Sequence, residues 1–62
     1  MKTYRLTIID HNRPFNKAII SMKYYKGISA VRKASPAKLN YSRNAKVFIG
    51  FYGKYEYIAC EC

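Results

Sequence analysis

The sequence predicts a small α+β domain of order ββαββ, a single-layer four-stranded antiparallel sheet with one helix packed on one face. Three observations carry that prediction. "TYRLTIID" alternates apolar and polar residues, "KAIISMKYYKGISAVRKASP" changes its apolar period from two to 3.6, and "KVFIGFYGKYEYIAC" reads as two strands around a glycine turn. The 62 residues make one domain, 1–62. Folding at this size hides only about 60% of the surface of the unfolded chain, which leaves room for one sheet face under one helix and none for a deep catalytic cleft.

The first strand spans residues 3–10, with Tyr4, Leu6 and Ile8 on one side and Arg5, Thr7 and Ile9 on the other. "HNRPFN" is polar, carries a proline and reads as a loop. In the next stretch Ala18, Ile20 and Met22 alternate with Lys17, Ser21 and Lys23, which predicts a second strand antiparallel to the first. Tyr24, Ile28, Val31 and Ala34 then form a helical stripe, so a helix is predicted from Tyr24 to Ser35 and ended by Pro36. Gly27 falls inside that helix at a cost of about 1 kcal/mol relative to alanine. A competing reading runs a helix from Pro14 to Gly27 on a stripe of Phe15, Ile19 and Met22, with proline in the first turn and glycine at the end, and gives a βαββ order. Ser35 before Pro36 has the form of an N-cap and predicts one further short helical turn. "SRN" reads as loop.

Gly53 and Lys54 suit the two-residue loop of a type II′ hairpin. That register sets Tyr52 against Tyr55, Phe51 against Glu56, Gly50 against Tyr57, Ile49 against Ile58, Phe48 against Ala59, Val47 against Cys60 and Lys46 against Glu61. One side then holds Val47, Ile49, Phe51, Ile58 and Cys60, the other Phe48, Tyr52, Tyr55 and Tyr57 with Lys46, Gly50 and Glu61. A single helix covers one face. The aliphatic side is expected beneath it, and the ring-rich side, with Arg5, Thr7, Ile9, Lys17, Ile19, Ser21 and Lys23 from the first hairpin, is expected to stay open. Lys46 and Glu61 are expected to pair.

Twelve Lys and Arg face three acids, for a formal charge of +9. No carboxylate lies between His11 and Tyr55, a span holding ten basic residues. Such a field attracts polyanions. Rings set among cations suit single-stranded nucleic acid, because bases stack on the rings while Lys and Arg neutralise phosphates. The expected contacts are Phe48, Tyr52, Tyr55 and Tyr57 for stacking, with Lys17, Lys23, Arg32, Lys33, Lys46 and Lys54 holding phosphates. "KVFIGFYG" shares Lys46 and Phe48 with the RNP1 signature of RRM sheets but has Gly50 where the second ring belongs, and the chain is too short for that fold, so the family is not assigned.

Other chemistry has little to stand on. His11, the only histidine, sits beside Asp10 in a loop, and no paired carboxylates or glycine-rich phosphate cradle are visible, so a non-enzymatic protein is expected. Cys60 and Cys62 are too few for a disulfide framework and read as reduced thiols; no metal site and no cofactor are expected. No apolar run approaches the roughly 20 residues that cross a bilayer, and the N-terminus lacks a signal-peptide pattern, so no membrane contact and a cytoplasmic location are expected, the host cytoplasm if the chain is viral. In size and in its Lys, Tyr and Asn content the chain resembles many small phage-encoded proteins, which often inhibit a host enzyme or defence complex. That resemblance implies the alternative partner, a host protein or ribonucleoprotein with an acidic surface, met by the same rings as interface anchors. Two open faces burying each other in a homodimer is a further expectation.

Overall fold

The computed structural model describes residues 2–62. It contains β1 (Thr3–Asp10), a 3-10 turn at Phe15–Lys17, β2 (Ile19–Lys26), α1 (Ile28–Ala34), β3 (Asn40–Ser42), β4 (Val47–Tyr52) and β5 (Tyr55–Glu61). The five strands form one antiparallel sheet in the order β2-β1-β5-β4-β3. The class is α+β, and the order is ββαβββ, one strand more than predicted. The added strand is β3, three residues long, too short to show a period, and set on the sheet edge beside β4.

The stretch from Phe15 to Pro36 resolves as strand then helix, with the boundary moved. Tyr24, Tyr25 and Lys26 continue β2, and Gly27 stands outside α1 as its N-cap with φ 85°. In that left-handed region a side chain costs about 1–2 kcal/mol, so glycine marks the corner where strand becomes helix. The helix from Pro14 to Gly27 does not form; only the 3-10 turn does. Ser35 does not open a helical turn either. It closes α1, and its Oγ donates to the Ala37 carbonyl (3.0 Å) and accepts from the Ala37 amide (3.2 Å), which ties the bend at Pro36 and Ala37.

The hairpin register is the predicted one from Tyr52–Tyr55 through Phe48–Ala59. Gly53 has φ 62° and Lys54 is not left-handed, as a type II′ loop requires. The sidedness of this hairpin is the reverse of the prediction, while Arg5, Thr7 and Ile9 of β1 lie on the uncovered side as expected. Leu6 faces Ala59 and Ile8 faces Tyr57, so the first strand's Tyr4–Leu6–Ile8 side is continuous with Ala59, Tyr57, Gly50 and Phe48. This is the covered side. The buried core is Leu6, Val31, Ala37, Leu39, Tyr57 and Ala59, with Tyr4, Ile8, Tyr25, Ile28, Phe48 and Tyr55 packed against it. Phe51, expected inside, is 65% exposed.

Two pieces make the cover. α1 lies over β1 and β2 and inserts Val31, which is fully buried. Residues 35–39 then cross the other half of the sheet, burying Ser35, Ala37 and Leu39 in alternation while Pro36 and Lys38 face out. They pass over Gly50: a Cβ there would stand 2.5 Å from the Lys38 carbonyl oxygen. The missing side chain at Gly50 and the small one at Ala59 make space for this backbone layer. The aliphatic side offers no such space.

Candidate functional site

The sequence-predicted contact residues do not gather in one place. Tyr57 is 7% exposed and belongs to the core. Tyr55 and Phe48 are half-buried beneath the chain's own cover, and of the four rings only Tyr52 is open, at 58%. Lys17, Lys23, Arg32, Lys33, Lys46 and Lys54 are all exposed. Lys23 lies on the β2 edge, about 19 Å of strand spacing from the β3 edge, and Lys17 closes the 3-10 turn that leads into β2. A bulge between Ile8 and Ile9 shifts the phase of β2, so Ser21 and Lys23 face the helix side while Ile19 stays on the open side.

What the fold does assemble is a strip of rings and cations at the β4–β3 end of the helix-bearing side. Phe48 is its centre. Tyr4 meets it edge-on at 6.2 Å between ring centroids, and Tyr41 meets it from the other side at 5.1 Å. The Arg32 guanidinium lies 5.5 Å from the Phe48 ring centroid, in cation–π range. Tyr41 is more than half exposed. The turn joining β3 to β4 adds exposed Arg43 and Lys46, closed by the Lys46 amide donating to the Ser42 carbonyl at 2.7 Å. A second pair sits at the hairpin tip, with the Lys54 ammonium 5.4 Å from the Tyr55 centroid and Tyr52 exposed on the adjoining strand. Tyr41 is the ring that the sequence reading missed. Its signal was the alternation of Ala37, Leu39 and Tyr41, which places it on the side of the buried pair.

All three acids are engaged. Glu61 meets Lys2 at 3.4 Å, Glu56 Oε1 meets His11 Nε2 at 2.6 Å, and Asp10 Oδ2 meets Arg13 Nε at 3.4 Å. Among the described residues only Lys2 and Arg13, of twelve Lys and Arg, reach a carboxylate. The expected Lys46–Glu61 pair does not form. Lys46 turns away in a left-handed conformation (φ 58°), and β5 pairs Glu61 with Tyr4 on β1, within reach of Lys2.

The opposite face of the sheet carries no cover. Its middle row runs Met22, Thr7, Ile58 and Ile49 across four strands. Phe51, Tyr24, Ile19 and Met22 are its most exposed members. Arg5 lies in this apolar field between Tyr24 and Cys60, its Nε buried without a hydrogen-bond partner. The nearby Cys60 sulfur, and next the Tyr24 hydroxyl, raise the arginine pKa above its already high ordinary value, so it is a permanent cation.

Among the described residues there is no enclosed pocket, no cluster of three or more His, Cys, Asp or Glu able to hold a metal ion, and no helix long and apolar enough to cross a membrane. No family model, no curated protein and no solved structure matches the chain.

Proposed function

We propose that this chain is a small, basic, non-enzymatic binding protein that engages single-stranded nucleic acid through the ring-and-cation strip of its helix-bearing side. The observation that carries the reading is the engagement of every acid by a nearby basic side chain, Glu56 by His11 and the other two by Lys2 and Arg13, which leaves all but two of the Lys and Arg side chains without a carboxylate. A cationic surface of this kind attracts phosphate and releases the counterions around it. The strip adds what phosphate contact lacks. Tyr41 offers an exposed ring on which a base stacks for about 1–3 kcal/mol, and Arg32, held over Phe48, stands beside it. Lys33 on α1 and Arg43 and Lys46 in the β3–β4 turn supply phosphate contacts around that ring. Tyr52 and Lys54 form a second, smaller station at the hairpin tip. Tyr57 has no part in contact, and Phe48 acts by holding Arg32 and Tyr41.

The test is a titration of labelled single- and double-stranded RNA and DNA at two salt concentrations. Single strands are expected to bind more tightly than duplex, with affinity falling steeply as salt rises. Tyr41→Ala is expected to weaken single-strand binding by about five- to 150-fold, the equivalent of one lost stack, and to leave duplex binding nearly unchanged. Absence of binding to all four at low salt would sink the proposal. The remaining reading would then be the alternative, in which the same cations seat on the acidic surface of a host protein or ribonucleoprotein.

A further inference from the structure

We infer that the uncovered sheet face is a homodimer interface, in which two copies of this chain pack face to face as a two-sheet sandwich with Arg5 of each opposite Glu56 of the other. The inference concerns the face opposite the ring-and-cation strip and does not depend on nucleic-acid binding.

The composition of the face favours a second copy. Its exposed positions are mainly apolar, with Met22, Ile19, Tyr24 and Phe51 around the facing pair Thr7 and Ile58, and Asn40 and Ser42 at the β3 edge. Among strand positions, only Arg5 and Lys26 bring Lys or Arg to this face, and Lys26 lies at the edge. The other cations are on the helix side, in loops or at turns. Two copies brought together by this face therefore keep most of their like charges outward, despite a net charge of +9 on each.

The area reaches the lower bound. The five strands hold 32 residues, which at about 3.3 Å along and about 4.8 Å across give a flat footprint of roughly 500 Å² per copy. Two copies bury roughly 1,000 Å², about what a specific interface needs.

The two charges near the middle fix the symmetry. Arg5 faces Cys60, and Glu56 faces Ile9 on the same pair of neighbouring strands; Glu56 Oε1 is held by His11, so Oε2 is the oxygen left to meet a second copy. Glu56 therefore lies about 13 Å along the strands and about 5 Å across them from Arg5. The midpoint of that line falls between Thr7 and Ile58, the centre of the face. A two-fold axis lying between the sheets, passing over that midpoint at right angles to the line, brings each Arg5 over the Glu56 of the other copy. Because the line departs from the strand direction by about 20°, the strands of the two sheets then cross at about 40°, close to the roughly 30° of aligned sandwiches.

Sedimentation equilibrium across a concentration series at low and moderate salt tests this. The expected result is a reversible monomer–dimer equilibrium with a mass doubling at high micromolar concentration, strengthened by salt because salt screens the net repulsion. Phe51→Lys, at a position open enough to leave the monomer folded by circular dichroism, is expected to abolish the dimer. Arg5→Glu and Glu56→Arg are each expected to be monomeric alone and to form a heterodimer when mixed in equal amounts, since mixing restores both opposite-charge contacts. A wild-type chain that stays monomeric at high micromolar concentration in both salts overturns the interface. A dimer that survives Phe51→Lys, or charge variants that fail to recombine, overturns the face or the register.

Discussion

Gly50 decides more of this structure than any other single residue. The Lys38 carbonyl occupies the space its side chain would need, so segment 35–39 lies directly on the sheet and Tyr57, opposite on β5, is buried beside it. Gly50→Ala places a Cβ 2.5 Å from a backbone oxygen that has no flexible end to swing away. Loss of about 2–3 kcal/mol is expected in urea unfolding, in the range of overpacked cores; an unchanged midpoint would show that the segment is not seated there. Lys46 is the converse case. It holds φ 58° with a full side chain, so Lys46→Gly is expected to raise stability by up to about 1 kcal/mol, read as a higher urea midpoint at unchanged slope.

At the scale of elements, α1 is the piece that could not stand alone. Seven residues fall short of the length at which an isolated helix holds in water, so its stability comes from what Val31 and Ile28 bury. Val31→Ala is expected to cost about 2–3 kcal/mol, transfer and cavity together, while Ile58→Ala, on the uncovered face, is expected to cost the monomer about half as much. Paired denaturation curves for the two variants at low protein concentration report which side of the hairpin is core; equal costs would contradict the burial. The strand 3–10 and the hairpin register were legible because each follows from a local rule, period two in one and turn type in the other. The strand-to-helix corner was misplaced because the apolar stripe from Tyr24 outweighed the glycine at 27. The β2 phase was not legible beyond Ile20, since a bulge leaves no mark in the alternation. The candidate site was legible in part: its cations are exposed as expected, but three of its four rings pack under the cover, and Tyr41 sits on a strand too short to be read.

At the scale of the whole molecule, charge and apolar surface lie on different sides. The helix-bearing side and the turns carry most of the cations, and the opposite sheet face carries Met22, Tyr24, Ile49 and Phe51 with little charge. The two proposed equilibria should therefore respond to salt in opposite directions. Raising salt is expected to weaken nucleic-acid binding through lost counterion release and to strengthen self-association through screening. Parallel titrations of binding and of mass over the same salt series check this; movement of both in one direction would place both contacts on one surface.

By itself the sequence determined the α+β class, the first strand, the hairpin with its cross-strand partners, and a field of cations with few acids to neutralise it. These follow from interactions between residues near in the chain, or from composition alone. Only the tertiary structure decided which side of the hairpin became core. Both sides are apolar enough to bury, and the choice fell to the side where Gly50 and Ala59 leave room for another backbone to approach, a property that exists only once residues 35–39 have been brought over the sheet.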